Sequence, residues 1–146
     1  GVVGRFDAVL TKDPEPSPEA DYIVVESTYG NRTHPQVPIL DQLQGVLDRT
    51  FSRGGVLLIP AFAVGRAQQM LYLMDQLVTS GRLRPFPIHL DSPMAIDATR
   101  IYAHYPEAHR VSLAGALGRS AFYGKWVQIH KTRAESEERR IRVAME

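Results

Sequence analysis

Short, uninterrupted apolar runs alternate along this chain with stretches of helical periodicity, and that alternation constrains the fold more than any other feature. The runs are YIVVE (Tyr22–Glu26), VLLIP (Val56–Pro60), PIHLD (Pro87–Asp91) and WVQIH (Trp126–His130). Each is too short for a helix, and each reads as a strand covered on both faces. Between them Ile39, Leu40, Leu43, Val46, Leu47 and Phe51 recur at helical spacing, closed by Gly54 and Gly55. A second helix carries Met70, Leu71, Met74, Leu77 and Val78 and ends at Gly81, and a third runs from Pro93 to about Tyr105. Thr132 and Glu135 form a capping box that opens a further helix. The stretch from Glu107 to Gly124 is the least legible. This order predicts an α/β domain, doubly wound in three layers around a mainly parallel sheet with right-handed crossovers.

Ligands of such sheets bind beyond the carboxyl ends of the strands. Here those ends are Glu26-Ser27-Thr28-Tyr29, Ala61 to Arg66, Asp91-Ser92-Pro93-Met94 and His130-Lys131-Thr132. Leaving a strand through PAFAVGRAQQ (Pro60–Gln69) puts Phe62 and Val64 in a loop, while Gly65 allows close backbone approach. Arg66 falls in the first turn of a helix, beside free N–H groups, where a cation is disfavoured unless an anion joins it. A phosphate site would fit; the blander assignment pairs Arg66 with a carboxylate such as Glu26 or Asp91. In DSPMA, Asp91 or Ser92 has N-capping as its default role. Glu26 is less easily explained, because a carboxylate closing a buried strand is costly unless paired. His34, alone in a loop beside Pro35, reads as solvated.

Composition narrows the chemistry. The 146 residues are 44% hydrophobic, enough for one domain with a real core, and a net charge of +1 neither requires nor excludes nucleic acid. The chain has no cysteine, which removes disulfides and thiolate metal sites. Its five histidines (34, 89, 104, 109 and 130) show no HxH or HxxxH spacing with nearby acids. There is no GxSxG, Walker loop or GxGxxG, and no apolar run approaches the roughly 20 residues that span a bilayer. The chain is expected to be cytoplasmic, with no membrane partner and no metal ligands of its own.

Taken in order, ESTYGNRTH, GGVLLIPAFAVGRAQQML and PIHLDSPMA closely resemble the β-CASP domain of the metallo-β-lactamase-fold nucleases that process RNA. That family includes the pre-mRNA 3′-end cleavage endonuclease, its bacterial and archaeal homologues and, more distantly, ribonuclease J. The resemblance runs from about Gly4 to Glu138. It implies a domain inserted into a two-zinc hydrolase domain, with RNA in the cleft between them and a metal-activated water cleaving the phosphodiester. Glu26 matches the acidic residue of the first motif, which implies support of a catalytic histidine outside this chain. Ser27, Thr28, Tyr29 and His34 fall on that motif's remaining positions. Gly65, Arg66 and Gln68 match GRxQ, and Asp91, Ser92 and Met94 match DSPMA. The resemblance thus implies that Ser27, Thr28, Tyr29, His34, Gly65, Arg66, Gln68, Asp91 and Ser92 contact RNA or phosphate. Val127 to Ser136 resembles the segment preceding the family's SGM-containing strand.

Departures from the family pattern are equally specific. The HxHxDH zinc motif, the SGM strand and the later histidines are absent, Val2 stands where a metal-bridging aspartate is expected, and Gln69 replaces the usual Glu. The expected organisation is a connector over 1–21, proline-rich and acidic from Lys12 to Asp21, and a β-CASP domain over 22–146 that is incomplete at its C-terminus. Its expected partners are RNA, a metallo-β-lactamase domain holding two zinc ions, and, as an open alternative, a second copy of the chain. Isolated, it should be inactive. Two rival readings are a degenerate assembly scaffold and a small nucleotide- or phosphate-binding domain.

Overall fold

The computed structural model describes residues 6, 8–16, 18–33, 36–110, 122 and 126–130. The Thr132–Glu135 capping box, Val2 and His34 lie outside them. Within them the chain forms α1 (Ile39–Phe51), α2 (Arg66–Thr79), β1 (Ile88–Leu90), α3 (Pro93–His104), a 3-10 turn (Pro106–Ala108) and β2 (Val127–Ile129). β1 and β2 pair in parallel, with Ile88 opposite Val127, His89 opposite Gln128 and Leu90 opposite Ile129.

α2 is the centre of the packing. Ala67, Leu71, Met74 and Val78 are buried at helical spacing, and Gln68, Tyr72, Leu73, Asp75 and Leu77 bury the flanking faces. Such a helix is buried nearly all round and belongs inside a domain. α1 packs Leu43 and Leu47, one turn apart, into the same cluster as Leu71, Leu77, Ile88 and Phe122. α2 stops where Gly81 takes φ +73°, donating its N–H to Val78 O at 3.0 Å, while Leu83 N–H reaches Leu77 O at 2.9 Å. α3 starts on Ser92, whose Oγ accepts from the Ala95 N–H at 3.2 Å, with Pro93 in the first turn where its missing N–H costs nothing.

Two of the expected strands are not strands here. Residues 22–26 and 56–60 have no ladder partners among the described residues, and their side chains face solvent, Val24 at 97% and Leu58 at 82% exposure, except Leu57, which is half-buried against the core. The physical reason is the lack of cover. A continuous apolar run needs hydrogen-bonding neighbours and packing on both faces, and the described residues supply no ladder and, apart from the core contact of Leu57, no packing. The described sheet therefore has two strands. The architecture is α/β; the doubly wound, three-layer arrangement is not seen among the described residues. Leu10, placed by sequence in the connector, is buried in the core, and Arg110 N–H donates to its carbonyl at 2.8 Å.

Asp75 is the unexpected core residue. It is buried on α2, where Oδ1 accepts from Trp126 Nε1 at 3.4 Å and Oδ2 has no hydrogen-bond partner among the described residues. Burial raises its pKa, and the Trp126 bond offsets only part of that rise. A carboxyl raised on folding contributes stability below its unfolded pKa and loses it as pH rises through the folded value. Asp75→Asn keeps the shape and removes the titration. Unfolding free energies measured from about pH 4 to about pH 8 should show the wild type losing ground to the variant as pH rises. A difference that stays flat across that window would contradict the assignment.

Candidate functional site

The residues singled out by sequence lie in three turns. In the first, Glu26 Oε1 accepts from the Thr28 N–H at 2.7 Å, Gly30 N–H closes onto Ser27 O at 2.9 Å, and Arg32 N–H reaches Tyr29 O at 3.0 Å. The Arg32 guanidinium sits 5.7 Å from the centre of the Tyr29 ring. The Thr28 side chain and then its backbone N–H hold the Glu26 pKa below the ordinary carboxylate value. Glu26 is exposed and, among the described residues, bonded only within its own turn, which corrects the expectation of a carboxylate needing a partner at the end of a buried strand. Ser27, Thr28 and Tyr29 are likewise exposed.

The second turn is built on glycine. Gly65 has φ +82° and ψ −61°, and Arg66 N–H donates across it to Val64 O at 3.1 Å. This is a γ-turn of the rarer, strained hand, a conformation that side-chain-bearing residues resist. An ideal Cβ at Gly65 would meet only the Tyr102 hydroxyl, at 3.7 Å, so the requirement for glycine is conformational rather than a matter of space. Phe62 and Val64, just before the turn, are exposed.

Gln68 holds that turn in place. Its Oε1 accepts from the Gly65 N–H at 2.7 Å, while Nε2 donates to Ala63 O at 3.0 Å, to Thr99 Oγ1 at 2.8 Å and, more weakly, to Ala95 O at 3.4 Å. Gln68 and Thr99 are both 0% exposed. The amide thus ties the start of α2 to the first turns of α3, the helix that opens with the DSPMA turn. Gln68 was expected among the groups touching RNA. The structure corrects this, because a side chain sealed in the core with its polar atoms engaged positions the site from behind.

Arg66 points outward. It is exposed, its Nη1 donates to Gln69 Oε1 at 2.8 Å, and it pairs with no carboxylate among the described residues. Its charge is therefore steadied by a neutral amide and, among the described residues, left uncompensated. The alternative of an Arg66 braced by Glu26 or Asp91 is not what the structure contains. In the third turn Ser92 is spent as the N-cap of α3, and Asp91 and Met94 are exposed. The structure joins the second and third turns through Gln68 and sets His130 beside the third, its N–H donating to Leu90 O at 3.2 Å. It shows no bond from Glu26 to any of them.

Sequence reasoning overlooked Thr99 and the pairing of His89 with His130. Thr99 sits 31 residues from Gln68, and no local spacing signals that contact. The histidines did carry a signal, since each closes or nearly closes an apolar strand. Among the described residues, no group of three or more His, Asp or Glu side chains converges to hold a metal ion.

Residues 67–145, more than half of the 146-residue chain, match the Beta-Casp domain family. This chain belongs to the Beta-Casp family. Among similar proteins, the Ribonuclease TTHA0252 of Thermus thermophilus is 42% identical over 112 residues, 75% of this chain and 25% of its own length. The Transcription termination factor FttA of Methanosarcina mazei is 38% identical over 105 residues, covering 70% of this chain and 16% of the relative. The Endoribonuclease YSH1 of Yarrowia lipolytica is 34% identical over 101 residues, 68% of this chain and 12% of the relative. The Beta-Casp chain thus spans a quarter or less of the length of each of these relatives.

The Gly65 turn gives a direct stability test of the Beta-Casp site. Gly65→Ala should cost about 1–3 kcal/mol in denaturant unfolding, the strain of a side chain at that φ. Gly45→Ala, inside α1 where an added Cβ meets only Arg49 Nη1 at 3.5 Å, should instead gain about 0.5–1 kcal/mol. Equal effects at the two glycines would show that the turn is not under conformational constraint.

Proposed function

We propose that this Beta-Casp chain acts within a zinc-dependent RNA-processing nuclease, closing over RNA while a metallo-β-lactamase domain hydrolyses the phosphodiester. The observation that carries the reading is Arg66: an exposed guanidinium in the first turn of α2, at the positive end of the helix dipole, with no carboxylate bonded to it among the described residues. A phosphate oxygen of RNA supplies the anion that such a position favours. The names of the similar ribonuclease and endoribonuclease support RNA as the polymer. Exposed Ser27, Thr28, Tyr29 and Asp91 would add polar contacts along the same strand, and Glu26 would orient a histidine of the hydrolase domain. His34 belongs to the same motif. The two zinc ions of such an enzyme do not fit the described residues, which offer no cluster of three ligands, so no catalytic step is assigned to them. In this reading the apolar runs 22–26 and 56–60 join a larger, doubly wound sheet that covers both their faces.

Phosphate contacts position RNA without reading its sequence. Arg66→Ala should therefore weaken binding about equally for unrelated RNA sequences and lower the slope of log affinity against log salt by about 1. Because Arg66 braces no acid, its melting temperature should stay close to that of the wild type. Unchanged affinity and salt slope, whatever happens to stability, would overturn the reading.

A further inference from the structure

A side-chain pair that no motif accounts for joins the two strands of the sheet. His89 lies in β1 and His130 directly follows β2. Their Nδ1 and Nε2 atoms are 3.0 Å apart, with ring centres at 5.2 Å and planes inclined by 30°. His89 is exposed and His130 half-buried, so the pair opens to solvent at the carboxyl end of the sheet. Its placement comes from the backbone. The parallel register sets His89 opposite Gln128, the Ile88 N–H donates to Trp126 O at 2.8 Å, and the His130 N–H donates to Leu90 O at 3.2 Å.

We propose that His89 and His130 form a two-histidine site for a divalent transition-metal ion. An ion bound about 2.0–2.1 Å from each nitrogen would see two atoms 3.0 Å apart at an angle of about 90°. That is the angle between neighbouring ligands in octahedral and square-planar coordination, so nickel(II) and copper(II) match the spacing of the two nitrogens, and a swing of the rings at this open edge turns both lone pairs from each other toward the ion. Tetrahedral zinc needs the nitrogens a few tenths of an ångström further apart, a small side-chain movement at an open edge. Binding requires both facing nitrogens to be unprotonated. In the hydrogen-bonded pair one of them carries a proton, and a shift of that ring to its other tautomer frees the lone pair without changing its charge. Water fills the remaining coordination positions. Magnesium, which prefers oxygen ligands and keeps its waters, is excluded by the donor set.

The proposal does not depend on the RNA-binding reading. Isothermal titration of the chain with nickel(II), zinc(II) and magnesium(II) at mildly alkaline pH tests it. The wild type should show one saturable nickel site, weaker zinc binding in accord with the ordinary metal series, and no response to magnesium. His89→Ala and His130→Ala should each weaken nickel binding about tenfold or more, since even loss of a group that merely supports a ligand has effects of that size. His104→Ala, removing an exposed histidine at the end of α3, should leave it unchanged. Circular dichroism should show both site variants folded like the wild type. Absence of saturable nickel binding, or equal affinity in the wild type and folded site variants, would overturn the proposal.

Discussion

One buried amide holds the functional edge of this molecule together. Gln68 sits at the third position of α2 and turns its side chain back to the Gly65 N–H, which no helical carbonyl can satisfy. The other end of the same amide crosses to Thr99 and Ala95 on α3. An unpaired amide in a dry core costs about 1–3 kcal/mol, so the bonds constrain one another: the γ-turn, the start of α2 and the docking of α3 stand or fall together. Arg66 is exposed because the residue two places on is fixed. The helix begins at the γ-turn, and the side chain that follows it can face only outward.

Much of this was legible in the sequence, and what was not has a common cause. α1, α2 and α3 follow from apolar spacing, from Gly54 and Gly81 as stops, and from Ser92 and Pro93 as a start. The parallel pairing of Pro87–Asp91 with Trp126–His130 follows from two short apolar runs flanking a helix. The runs at 22–26 and 56–60 carry the same signal, yet apart from Leu57 they are exposed, and they are unpaired among the described residues. Periodicity reports what a segment can bury and says nothing of whether the neighbour that buries it is at hand. The side-chain couplings were illegible for a similar reason. Gln68 with Thr99, Asp75 with Trp126 and His89 with His130 each join residues 31 or more positions apart. Motif matching placed Gln68 at the site, and only its burial distinguishes a group that positions from one that touches.

The electrostatics separate two kinds of residue. Asp75 is a carboxyl kept from water with one oxygen unmatched, and it makes the core sensitive to pH. Arg66 is a charge kept in water and left without an acid, which makes the surface receptive to an anion. A carboxylate at position 69 would bring an acid within reach of Arg66, whereas Gln69 holds the guanidinium and leaves its full charge to the ligand.

The dependence of the edge on Gln68 is most directly measured by a double-mutant cycle between Gln68→Leu and Thr99→Val, read by denaturant unfolding. The two side chains share a 2.8 Å hydrogen bond in a site closed to water. Once one partner is gone, losing the other should cost much less, giving a coupling energy of about 1–3 kcal/mol. Additivity within about 0.5 kcal/mol would contradict the account, because the two helices would then be held in register by something other than this amide.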